Sequence, residues 1–327
     1  MIYSLTGPAE QWGNYGRQAA ELAAQEVNST GGINGRPLKL IFEDSKTSSA
    51  GAVAAYRKLV DIERADALVG DVWDFVTNPL VPLTKTSKKI LLSPTVVPAA
   101  IESESEYFFT LGHQLPLVRE ATDKFFALNP DIKTVAILCW DNAWGRAYVA
   151  QWKQILEGRG IKVVYERALY DFDYDYKSDA AAMAAKRPDA VLMEFQTERI
   201  IKRMHELKFY PKILSTSDLL LAKFNKLLPD SELEGGYFID WDAPEDFRKS
   251  FQAKFGHAPM FEAFSHYQAV KSLAQAFELK HGDLLSSLKS VRLEQAGEIV
   301  DFSRGFAANF GKGELKKFSG GAAVNAQ

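Results

Sequence analysis

A single cysteine in 327 residues excludes an internal disulfide and leaves the redox compartment open. That residue, Cys139, ends the apolar run Val135-Ala136-Ile137-Leu138, where a buried and inert thiol is expected. No apolar stretch approaches the length that spans a membrane as a helix. Basic residues are not in excess: the net charge of -3 gives neither the electrostatic footprint of a nucleic-acid binder nor a basic arm for a lipid surface. The five histidines are scattered without metal-ligand spacing, so no metal is expected. There is no phosphate-binding glycine loop after a strand, and no Gly-x-Ser-x-Gly elbow, so a nucleotide cofactor or a serine hydrolase has no support. No charged and apolar leader pattern precedes Ile2-Tyr3-Ser4-Leu5, which reads as the tail of a strand running straight into the turn Thr6-Gly7-Pro8; either a leader was removed or the native protein has none, and removal is the expectation.

What is present is enough chain for two domains and enough apolar residues, 46%, to fill two cores. Short apolar runs alternate with longer amphipathic ones. Strands are predicted at 38–42, 67–70 and 90–92, with helices over 50–62 and 76–86. The second half repeats the alternation. Its strands are predicted at 135–140, 162–165, 190–193, 212–214 and 237–239, and its helices over 145–158, 178–185 and 198–207. Strands alternating with helices imply parallel sheets covered on both faces, and two such series imply two doubly wound α/β lobes. Past Ile239 the alternation stops: helices are predicted over 245–255, 263–279 and 283–291, then strands and turns from Gly297 to Ala323. No low-complexity linker separates the halves, so the lobes are expected to be 1–113 with 242–300 and 114–241 with 301–327, joined by several crossings.

Ordered motifs run through the chain. The opening has Tyr3-Ser4-Leu5-Thr6-Gly7-Pro8, Trp12-Gly13, Glu26-Val27-Asn28, Gly31-Gly32-Ile33-Asn34-Gly35-Arg36-Pro37-Leu38 and Glu43-Asp44-Ser45. Leu68-Val69-Gly70, Leu92-Ser93-Pro94-Thr95, Trp144-Gly145, Pro188-Asp189-Ala190 and Glu234-Gly235-Gly236-Tyr237 follow in order. Together they resemble the type I periplasmic binding proteins of the branched-chain amino acid ABC transporter class. The resemblance implies two lobes joined by a multi-crossing hinge, closing on a small-molecule ligand, with an ABC permease in the membrane as partner. It implies a periplasmic or lipid-anchored extracellular location, no cofactor and no catalysis. It also implies that Tyr170-Asp171-Phe172-Asp173-Tyr174-Asp175-Tyr176, which lacks the glycine and terminal glutamate of a calcium loop, is a strand end and helix lead-in.

Ligands of open parallel sheets sit beyond the carboxyl ends of the strands. The resemblance places a ligand-binding hydroxyl where this sequence has Asp74, a ligand-binding carbonyl at Thr95, and a threonine where it has Val97. Both departures weaken support for a carboxylate. Two like charges about 4 Å apart repel by roughly 4 kcal/mol at an effective dielectric of 20. A lost hydrogen bond to a charged group adds about 1.5–3 kcal/mol. Trp12, Trp73 and Trp144 fall on loops that face the ligand in relatives, although a lone tryptophan is as readily core or rim. Indole faces attract cations and stack on rings. With Asp74 beside them, a cationic or neutral ligand bearing a ring or an amide fits better than a branched aliphatic acid. From the second lobe come Phe195, Gln196 and Asp218, the last either the ammonium-binding acid of the family or a helix N-cap before Leu219. Tyr267 either reaches the ligand from the hinge side or is a core tyrosine. The expected function is the solute-binding component of an ABC importer. The same fold serves ligand sensors that regulate a partner protein, and an α/β enzyme would have Asp74 as its only obvious catalytic group.

Overall fold

The computed structural model describes residues 1–95, 103–111, 115–241, 243–279, 282–295, 298–302 and 313–327. Val97 lies outside them, as do His113 and His281. The chain separates into two compact units, Met1–His113 with Ala243–Gly311, and Gln114–Asp242 with Lys312–Gln327.

The first unit opens with β1 (Ile2–Tyr3), α1 (Glu10–Ser29), β2 (Glu43–Asp44), α2 (Ser49–Arg57), β3 (Leu68–Val69), α3 (Asp74–Thr77), α4 (Val81–Ser87), β4 (Leu91–Ser93) and β5 (Phe108–Thr110). β1 pairs with β2 in parallel, and β3, β4 and β5 form a parallel three-stranded sheet. The strand predicted at 38–42 is not formed. The ladder falls at 43–44 instead, with Ile2 opposite Glu43 and Tyr3 opposite Asp44, and Ser45 N–H bonded to the Tyr3 carbonyl (2.8 Å). The helix predicted over 76–86 is broken into α3, a 3-10 turn at Asn78–Leu80, and α4. Pro79 and Pro82 carry no N–H to continue a longer helix. α2 starts at Ser48, whose hydroxyl caps Gly51 N–H (3.1 Å), and finishes in a π turn at Lys58–Ile62.

The second unit continues with α5 (Leu115–Leu128), β6 (Thr134–Trp140), α6 (Ala143–Gly158), β7 (Lys162–Leu169), α7 (Lys177–Lys186), β8 (Ala190–Met193), α8 (Thr197–Glu206), β9 (Lys212–Thr216), α9 (Asp218–Phe224), α10 (Asp230–Leu233) and β10 (Tyr237–Trp241). Each strand predicted here forms. β6 and β8 are buried almost throughout, which is why they read as unbroken apolar runs. Cys139 is buried in β6, and burial pushes its thiol up to about 12. The acid-aromatic run after β7 leads into α7, with Asp175 Oδ1 accepting from Lys177 N–H (3.0 Å).

The chain then returns to the first unit as α11 (Glu245–Phe255), α12 (Phe261–Leu279), α13 (Leu284–Lys289) and the antiparallel hairpin of β11 (Arg292–Gln295) and β12 (Glu298–Asp301). α12 lies along α1. Its His266 ring stands edge-on to Tyr3, centroids 4.8 Å apart, and burial lowers its pKa to about 3. The last boundary between units falls at Gly311 and Lys312 rather than at 300, since Phe302 packs edge-on against Phe109 of the first unit at 5.8 Å. β13 (Gly313–Ser319) and β14 (Ala322–Asn325) close the second unit's sheet, whose order is β14-β13-β10-β9-β8-β6-β7. β6 to β10 are parallel, and β13 and β14 form an antiparallel edge. Strand order reverses at β6 and β8, and the carboxyl ends of those two strands are the ligand position in such sheets.

Candidate functional site

In each unit a glycine in the first turn of a helix lets that helix approach the carboxyl end of the preceding strand. A β-carbon on Gly13 would overlap the Ser4 carbonyl oxygen, and one on Gly145 would overlap the Trp140 carbonyl oxygen. The helix starts carrying Trp12 and Trp144 are thereby pulled onto the sheet edge.

In the first unit, Asp71 organises that edge. Its carboxylate accepts Ser4 N–H (2.6 Å) and Val72 N–H (2.7 Å), and its carbonyl accepts the hydroxyls of Thr77 (3.0 Å) and Ser93 (2.6 Å). The loops after β1, β3 and β4 are tied together through one residue. Burial raises its pKa to about 6, against the pull of those hydrogen bonds. Asp44 behaves oppositely. Partial burial raises it, but bonds from Thr6, Lys46 and Leu5 prevail and hold it below the usual carboxylate range. On this scaffold Trp12 meets Trp73 edge to face, centroids 5.4 Å apart, and Trp73 meets Phe75 at 5.8 Å. Asp74 follows at the start of α3, buried, its Oδ1 accepting Phe75 N–H (2.8 Å). Thr95, one residue past Pro94, gives its carbonyl to the Thr110 hydroxyl, and its own Oγ1 is sealed from solvent without a hydrogen-bond partner.

In the second unit Glu194 plays the organising part. Its Oε1 accepts Trp140 N–H (2.6 Å), and its carbonyl accepts the Thr216 hydroxyl (3.2 Å), joining the ends of β6, β8 and β9. Phe195 stacks on Trp140 at 4.3 Å and 30°, with Phe172 at 4.8 Å and Tyr170 at 5.4 Å from the same indole. Gln196 takes the left-handed conformation (φ 43°). Its side chain is held at both ends, accepting from the Tyr176 hydroxyl and donating to the Phe172 carbonyl (2.8 Å). That amide braces the aromatic cluster. The N-cap of α9 is Ser217, without a side-chain cap bond, so Asp218 is not the cap but the first helical residue. Burial and the neighbouring Glu198 raise Asp218 to about 8, although Gln196 N–H bonds to it. Burial raises Glu198 as well. Ser217 Oγ, like Thr95 Oγ1, is buried without a partner.

Two of the expected tryptophans thus meet in the first unit. Trp144 in the second packs on Tyr148 (4.7 Å) rather than in the Trp140 cluster. Tyr267 stands elsewhere, its hydroxyl donating to Glu26 far along α1. Sequence reading did not single out Asp71, Trp140 or Glu194 as site residues, although each stands at the end of a predicted strand, 67–70, 135–140 and 190–193. Among the described residues no group of three or more His, Cys, Asp or Glu is arranged to hold a metal, and no helix is long and apolar enough to cross a membrane.

The fold is that of type I periplasmic binding proteins. The isoleucine-bound branched-chain amino acid transporter substrate binding protein LivJ of Streptococcus pneumoniae superposes with a TM-score of 0.86, at 16% identity, over 100% of this chain and 97% of that one. A benzoate-bound solute binding protein of an ABC transporter from R. palustris superposes at 0.81, with 19% identity, over 99% and 93%. Residues 1–304 match the Periplasmic binding protein family, and the chain belongs to it. A leucine-, isoleucine-, valine-, threonine- and alanine-binding protein of Pseudomonas aeruginosa is 27% identical over 176 residues, 53% of this chain; the match spans 47% of that relative's length.

Proposed function

We propose that this chain is the extracytoplasmic solute-binding component of an ABC importer, and that its two units are lobes that close on a small amino-acid-like, amide or ring-bearing solute. The permease of the importer is its partner, and no bond is made or broken. The observation that carries the reading is that each unit has, at the carboxyl ends of its strands, an aromatic contact and a buried carboxylate: Trp12 on Trp73 and Asp74 in the first, Phe195 on Trp140 and Asp218 in the second. The relatives support a small solute, since one holds isoleucine and another benzoate. Closure then follows by population shift, because contacts with both edges exist only in the closed form.

A thermal-shift panel of branched-chain amino acids, amides, aromatic acids, polyamines and quaternary amines tests this. Ring- or amide-bearing solutes should give the largest upward shift. If leucine, isoleucine or valine ranks first, the reading of Asp74 and Val97 fails. Asp74→Ser should relax any preference for cations, and an unchanged ranking would remove Asp74 from the site.

A further inference from the structure

In the first unit, α1, α11 and α12 line an open cavity of about 330 Å³ that the carboxyl-edge site does not use. Its walls include Glu26 of α1, Asp246, Phe247 and Ser250 of α11, and Phe264 and Tyr267 of α12. Glu26 lies 16 positions beyond Glu10 on α1, about 24 Å along the axis at 1.5 Å per residue, so the cavity sits at the other end of that helix from Trp12.

Its chemistry is that of a cation site. The Phe247 ring lies 5.1 Å from Phe264 and 5.1 Å from Tyr267, and Phe264 stacks on Tyr267 at 6.0 Å and 19°. Aromatic faces attract cations within about 6 Å of the centroid. Glu26 accepts from the Tyr267 hydroxyl, which keeps its carboxylate fixed against the ring. The protein already seats one cation on this combination: the Lys271 ammonium is 3.4 Å from Glu26 Oε2 and 5.7 Å from the Tyr267 centroid. Asp246 adds a second carboxylate on the α11 wall, while the nearby Lys249 is bonded to Glu245 (2.7 Å). Glu26 and Asp246 thus line the cavity from two helices. The volume corresponds to roughly ten water molecules, room for a cation of several heavy atoms.

We propose that this cavity is a second binding site, taking a small organic cation whose ammonium or guanidinium group stacks on the ring cluster and pairs with Asp246 and Glu26. A guanidinium suits it best, being planar, weakly hydrated and able to meet a carboxylate through two bonds. Titration of the 15N-labelled chain with ethylguanidinium chloride, followed by amide NMR, tests it, with ethylurea as the neutral isostere and sodium chloride as the ionic-strength control. Saturable shifts at residues 244–250 and 264–271, absent with ethylurea, are expected. Asp246→Asn, at an exposed position, should weaken binding at least about fivefold. Lys271→Met, which removes the resident cation, should strengthen it about threefold. Non-saturating shifts, an equal response to ethylurea, shifts confined to the loops bearing Trp73 and Asp218, or an unchanged affinity in Asp246→Asn would each overturn the proposal.

Discussion

Asp218 shows how a single side chain acquires chemistry that its residue type does not announce. Its ordinary value is 3.8, and in the folded protein burial, reinforced by Glu198, raises it to about 8. The folded chain therefore keeps a proton that the unfolded chain has lost between about pH 4 and pH 8. Stability without ligand should fall as pH rises through that window, because the folded state binds more protons there. Urea unfolding of the chain and of Asp218→Asn isolates that contribution: the stability difference between them should shift against the chain by more than about 1 kcal/mol from pH 5 to pH 8. Binding has the opposite sign. An ammonium ligand needs the carboxylate, so its affinity should rise close to tenfold per pH unit up to about 8, with a proton released on binding. Calorimetric titration in buffers of different ionisation enthalpy reads that proton. An affinity independent of pH between 6 and 8 would mean that no ligand cation meets Asp218.

At the scale of elements, the close approach of helix to strand decides where the tryptophans stand. Gly13 and Gly145 each face a strand-end carbonyl that a β-carbon would strike. Backbone atoms cannot move aside as a flexible side chain would, so Gly13→Ala and Gly145→Ala should each cost about 2 kcal/mol in denaturant unfolding. On the proposed function each should also weaken solute binding, since Gly13→Ala displaces the turn carrying Trp12 and Gly145→Ala presses on the Trp140 carbonyl and Glu194. A neutral effect on both would mean that the helix starts are free to shift. Elements were unevenly legible in the sequence. β6, β8, β9 and β10 were plain because strands buried on both faces read as short apolar runs. The segment 38–42 looked like a strand for the same reason, yet the ladder falls at 43–44, opposite Ile2 and Tyr3. The helix over 76–86 was legible as helix, but Pro79 and Pro82 divided it.

For the whole molecule, each unit has its own sheets and its own buried residues, so each is expected to unfold as its own cooperative block. A solute touching both carboxyl edges would couple the blocks. Differential scanning calorimetry should then show two overlapping transitions without ligand merging toward one with it. At a hundredfold excess over the dissociation constant the stabilisation should reach about 2.7 kcal/mol. A solute that raises only one transition binds one unit alone. The second cavity gives an internal contrast, since a cation bound there should raise only the transition of the first unit.

The sequence by itself determined the fold class and the family, because both reside in patterns that recur along the chain: buried-strand runs, amphipathic helices, and turn motifs in a fixed order. It also placed Trp12, Trp73, Asp74, Phe195 and Asp218 near strand ends. Only the tertiary structure decided what each does there. Asp71 and Glu194 tie strand ends from distant parts of the chain, and Trp140 rather than Trp144 gathers the rings of the second unit. Gln196 is spent on bracing Tyr176 and Phe172, and Tyr267 serves Glu26 at another face. Burial, charge neighbours and hydrogen-bond partners are properties of residues far apart in sequence, so no local pattern encodes them.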